Sequence, residues 1–126
     1  MKHIYTILSL ILISNILYSR LQIPLESVSA YISQHAKVCD KETGTYVTKL
    51  VSPKAVSDKP LTYLNLGADF PNSKLTIVIF QKDLHNFPIT PSDHYKGQNV
   101  CDSGTIKKYN EKMEIIANGP DQIEMK

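Results

Sequence analysis

The chemistry this chain offers most plainly lies in its aromatic and cationic side chains. Tyr63 and Phe80 sit within two strongly apolar runs, and Lys49, Lys54 and Lys59 lie in the polar stretch before the first. Lys107, Lys108, Tyr109 and Lys112 form a second basic cluster. Flat rings stack on bases and ammonium groups neutralise phosphates, so the combination suits single-stranded nucleic acid. Asn65 shares a face with Tyr63 if their run is a strand, opposite the better core residues Leu64 and Leu66. The competing reading is solvated surface lysines and a Phe80 that simply packs.

Other chemistries find less support. His35, His85 and His94 remain once His3 is set aside, with Asp83 two residues from His85 and Asp93 next to His94. A metal site would need these to converge from separate loops, and nothing in their spacing requires it, so no metal ligands are expected. There is no Ser or Cys nucleophile motif and no phosphate-cradling glycine loop. No catalytic residues and no cofactor are expected, and the chain reads as a non-enzyme.

The N-terminus frames everything else. Met1-Lys2-His3 precedes a mostly apolar run from Ile4 to Ile13, followed by the polar exit Ser14, Asn15, Tyr18 and Ser19. This is the layout of a secretory signal peptide, expected over residues 1–19. Leu17 makes an imperfect small-residue cleavage site. The apolar run is shorter than the roughly 18 residues a spanning helix needs, so no membrane insertion is expected after cleavage. The expected location is periplasmic or extracellular. Export gives Cys39 and Cys101 an oxidising compartment, where an even count favours a disulfide. Such a bond would close a loop of about 60 residues, worth roughly 4 kcal/mol in the chain-entropy model.

Size and charge bound the remainder. The chain has 126 residues, which is one domain after signal removal. Losing Lys2 takes the formal net charge from +2 to +1, which argues against a polybasic nucleic-acid tail or a membrane-surface domain. Charged residues make up 21% and hydrophobic residues 42%, a balance that folds rather than stays disordered.

The elements that must position these side chains follow from periodicity. Leu25, Val28 and Ile32 fall on one helical face after Pro24, predicting a short amphipathic helix that ends near Gln34. Residues 20–34 are thus a helical lead-in, and 35–126 the folded domain. Ala36–Asp40 and Thr45–Val51 read as one long strand, bent or bulged at Thr43-Gly44. Leu61–Leu66 and Lys74–Gln81 are the clearest strands, joined by a Gly, Pro and Asn connection. Residues 82–91 read as loop, and Pro91–Gly97 as one short helical turn. Gln98–Lys108 is a fourth strand, with Gly104 marking a bulge or a close backbone approach. Tyr109-Asn110-Glu111 is a tight turn, Lys112–Ala117 a fifth strand, and Gln122–Met125 a return to the sheet. Five strands with a helix between the third and fourth predict an all-β fold, a five-stranded Greek-key barrel of the OB type. A filled barrel of that size lacks the cleft that paired-carboxylate hydrolysis needs.

Particular residues strengthen this. Val38-Cys39, Tyr63-Leu64-Asn65-Leu66-Gly67, Phe70-Pro71-Asn72, Thr76-Ile77-Val78-Ile79-Phe80, Tyr95-Lys96-Gly97, Val100-Cys101, Gly104-Thr105-Ile106 and Pro120-Asp121-Gln122-Ile123 follow one another. The succession resembles small bacterial secreted OB-fold domains of the nucleic-acid-binding, tRNA-anticodon/helicase-like type. The likeness spans residues 36–123. It departs from the family pattern at Asp40, where Gly often follows the cysteine, and at Phe80, where Trp often ends the strand. The resemblance implies single-stranded DNA or RNA bound on the face of the second and third strands and their rim loops. The alternative is an envelope interaction module that takes a protein, peptide or glycan on the same face.

Overall fold

The computed structural model describes residues 21–47, 59–68 and 71–126. The expected signal peptide, Lys49 and Lys54 lie outside these residues. The fold is all-β. Its strands are β1 (Gln22–Ile23), β2 (His35–Val47), β3 (Pro60–Leu66), β4 (Leu75–Phe80), β5 (Asn99–Thr105), β6 (Lys107–Tyr109), β7 (Lys112–Ile116) and β8 (Ile123–Met125). A four-residue helix, α1 (Pro91–His94), and three 3₁₀ helices (Leu25–Tyr31, Gln81–Asn86 and Pro120–Gln122) complete the described elements.

The long strand β2 organises the sheet. Its first half pairs antiparallel with β5, from His35↔Thr105 to Lys41↔Asn99. Its second half pairs antiparallel with β3, and the register shifts between Glu42 and Gly44, where the sequence predicts a bulge. Glu42 secures this bend from inside. Its side chain is 2% exposed, Oε1 accepts a hydrogen bond from Thr45 Oγ1 at 2.9 Å, and Oε2 accepts one from the Gly97 N–H at 2.7 Å. β1 pairs in parallel with β2 through Gln22↔Lys37 and Ile23↔Val38. It occupies the flank of β2 that β3 leaves open, a two-residue strand too short for periodicity to reveal.

β3 pairs antiparallel with β4, and β4 runs parallel to β7. β6 and β7 form a hairpin through Asn110 and Glu111, whose φ angles of 47° and 65° fit the primed turns that match strand twist. The path of neighbouring strands is β6-β7-β4-β3-β2-β5-β8, with β1 alongside β2. Only Ile106 separates β5 from β6, although the two strands lie toward opposite ends of that path. Ile106 is fully buried, its N–H donates to Gln34 O at 3.0 Å, and its carbonyl accepts from the Ser33 N–H at 2.7 Å.

The period-2 alternation sends Leu64 and Leu66 of β3, Leu75, Ile77 and Ile79 of β4, and Ala36 and Val38 of β2 into one core. Phe87 and Tyr95 cover it from the β4–β5 connection. The expected amphipathic helix is instead a 3₁₀ helix ending at Tyr31. Three residues per turn align Leu25, Val28 and Tyr31 on the core, which leaves Ile32 38% exposed. Cys39 and Cys101 stand directly opposite each other across β2 and β5, Cα atoms 4.0 Å apart, and are joined by a disulfide.

Among the buried polar residues, Asp102 is the most enclosed. It lies opposite Val38, is fully buried, and neither carboxylate oxygen has a well-formed hydrogen bond among the described residues, the Ser103 N–H being near but poorly aligned. Burial pushes its carboxyl well above the usual value of 3.8, outweighing the opposite pull of the Ser103 backbone N–H. Tyr95 is raised as well, first by its own burial and then by the charge of Asp102.

Candidate functional site

The face of β3 and β4 turned away from the core carries Leu61, Tyr63 and Asn65 beside Thr76, Val78 and Phe80, in the register Tyr63↔Val78 and Asn65↔Thr76. This face is more apolar than a solvated one. Leu61 is 4% and Val78 2% exposed, yet neither belongs to the core cluster. Tyr63 and Phe80 are half-buried. Asn65 departs from the expectation of an outward ligand contact. It is buried, and its Oδ1 accepts a hydrogen bond from Thr76 Oγ1 at 2.8 Å, so the cross-strand partner consumes its acceptor.

The lysines disperse. Lys59 is exposed at the entry to β3. Lys108 Nζ lies 3.2 Å from Glu111 Oε2 across the tip of the hairpin, and Tyr109 beside it is 64% exposed. Lys112 donates to the Pro71 carbonyl. Lys107 is exposed and faces Glu114 across the ladder, whose carboxyl burial pushes upward.

Two of the expected residues do converge. Phe80 and Lys107 line one groove of about 430 Å³, together with His35, Lys82, Gly104, Thr105, Ile116, Asn118 and Gln122. The groove sits beside the place where β5 and β7 approach each other without pairing in a ladder. Gln122 bridges the two strands, its Nε2 donating to Ser103 O at 2.9 Å and Ile116 O at 3.0 Å, while its Oε1 accepts from the Asn118 N–H at 2.7 Å. Asn118 is held in turn, with Nδ2 on Asp83 Oδ2 at 3.1 Å and its carbonyl accepting from Asn86 Nδ2 at 2.9 Å. Gly104 has to be glycine here: a Cβ would come within 2.5 Å of Ile115 Cγ2 and 3.3 Å of Gln122 Nε2. The close backbone approach expected of Gly104 is thus present.

The groove's chemistry is one-sided. Lys82 and Lys107 bring ammonium groups and His35 a ring donor, and no Asp or Glu is among the described residues that line it. Lys82 Nζ lies 5.9 Å from the Phe80 ring centroid, within cation–π range. Sequence reading missed His35, Lys82, Asn118 and Gln122. They come together from segments distant in sequence, which no local pattern announces. The Gly119-Pro120 break before Gln122 is the one signal that the chain turns back there.

Comparisons with known proteins add a fold likeness. No family model matches the chain, and no curated protein matches it. Among solved structures, the chain is similar to part of a protein assigned as an aspartyl-tRNA synthetase from Leishmania major Friedlin, with 14% identity and a TM-score of 0.50. The match covers 85% of this chain and 21% of that one. At that identity the likeness concerns the fold alone, and the chain corresponds to about a fifth of the synthetase's length.

Proposed function

We propose that this chain is an exported, non-catalytic OB-fold domain that binds single-stranded nucleic acid through the β3–β4 face and its rim. The five strands of the barrel are β2, β3, β4, β5 continued as β6, and β7, with Ile106 carrying one strand from one end of the sheet path to the other. The single observation behind the ligand is the groove, where Phe80 meets Lys82, Lys107 and His35 without a carboxylate among the described lining residues. An aromatic face beside cations is what a single strand requires. The fold likeness to part of a protein assigned as a tRNA synthetase agrees with that ligand class. The disulfide is compatible with export, and no helix among the described residues is long and apolar enough to cross a membrane.

Salt-titrated fluorescence anisotropy with mixed-sequence single-stranded DNA and RNA tests the reading. Two or three lysine–phosphate contacts predict a log–log salt slope of about −1.4 to −2.1. Folded protein that shows no binding to either strand at low salt removes the nucleic-acid reading. The near-balanced charge and the apolar face around Leu61 and Val78 then favour the second reading, a protein, peptide or glycan partner on the same surface.

A further inference from the structure

We infer that the groove between β5 and β7 is a discrete site for one nucleoside phosphate, distinct from the centre of the β3–β4 face. The inference rests on the nucleic-acid reading and deepens it at the groove that reading already uses. A volume of about 430 Å³ falls within the range of small-molecule sites. Phe80 and Ile116 supply a ring and an aliphatic surface for a flat base. Lys107 and His35 approach from β6 and β2 and supply donors for phosphate. Gln122, itself a lining residue, ties Ser103 of β5 to Ile116 of β7 at the groove wall. Asn118 is preset by Asp83 and Asn86, so the rim is positioned before any ligand arrives.

The nucleoside phosphate could be free or part of a strand, and one experiment separates the two sources. AMP, adenosine, inorganic phosphate and the single strand dA12 are titrated into ¹⁵N-labelled protein, with Phe80→Leu, Lys107→Gln and, as a control on the β3–β4 face, Tyr63→Leu. Thermal melts confirm that each variant folds. AMP is expected to shift the amides of Thr105, Lys107 and Asn118, and adenosine or phosphate alone to bind at least tenfold more weakly. Phe80→Leu should weaken AMP about 5- to 100-fold through lost stacking. Lys107→Gln should weaken it about tenfold, the scale of one charge-assisted hydrogen bond. If dA12 weakens in parallel with AMP in both variants, the groove holds one nucleotide of a strand. If AMP behaves as expected and dA12 does not bind, the site takes a free nucleotide and the strand reading fails alone. Binding of dA12 that Tyr63→Leu weakens but the groove variants do not, with no AMP shifts, overturns the groove site and leaves the strand reading intact. Absence of binding by every probe overturns both.

Discussion

Asp102 is the residue whose chemistry fits its surroundings least. A carboxylic acid among Val38, Ile123 and Tyr95, with no well-formed hydrogen bond to either oxygen among the described residues, is more stable holding its proton. Its folded pKa lies above its unfolded one, so between the ordinary value of 3.8 and the raised folded value the native chain keeps a proton that the unfolded chain has released. Stability therefore falls as pH climbs through that window, and it is fullest below 3.8. Urea unfolding measured from pH 4 to 8 should show this decline in the wild type and a flatter profile in Asp102→Asn, with a smaller residual slope from Glu114. Asp102→Val should gain about 1–3 kcal/mol at pH 7 by removing a buried polar group that lacks a well-formed hydrogen bond. Gly104→Ala should lose about 1–3 kcal/mol in the same assay, because its methyl group collides with Ile115 and displaces the Gln122 bridge. Residues of this kind mark the limit of reading a sequence. Tyr63 and Phe80 announce themselves by type. The burial of Asn65 depends on Thr76 across the ladder, and that of Asp102 on strands distant in sequence.

At the level of elements, most of the architecture was legible. The bulge in β2, the β3–β4 hairpin, the α1 turn and the β6–β7 turn all follow from period 2 interrupted by Gly, Pro and Asn. The misses have physical reasons. A 3₁₀ helix and an α-helix share the i, i+3 spacing of Leu25 and Val28, so the pattern does not separate them. Gln81–Asn86, read as the end of a strand and the start of the 82–91 loop, carries no apolar repeat long enough to mark its 3₁₀ turn. The break at Ile106 sits inside a continuous strand pattern. The β2 bend depends on Glu42, whose buried carboxylate joins Thr45 and the Gly97 N–H, so Glu42→Ala should cost about 1–3 kcal/mol by removing both hydrogen bonds, measured by chemical denaturation. Comparing melts of the wild type with and without reductant tests the other clamp on β2. Breaking Cys39–Cys101 should cost about 4 kcal/mol, set by its sequence separation of 62.

For the whole molecule, the pairings that complete the sheet are the distant ones. β2 meets β5, and β4 meets β7, only after the entire β4–β5 connection has been placed. Periodicity alone does not reveal that arrangement, because it fixes which side of a strand is buried and not which strand lies beside it; the two cysteines and the barrel topology they fit point to β2 beside β5. The arrangement has a bearing on how the chain reaches its structure. Ladders between distant segments require loop closure before they return any stability, which places folding in the slower, millisecond-to-second regime of β-rich domains. Cys39 and Cys101 already face each other in the β2–β5 register, so a chain unfolded with its disulfide intact begins with the costliest closure done. Stopped-flow refolding should therefore be several-fold faster for the oxidised chain than for the reduced one. With one pair of cysteines there is no wrong bond to form within the chain, so the link that steadies the folded sheet also serves as its nucleation point.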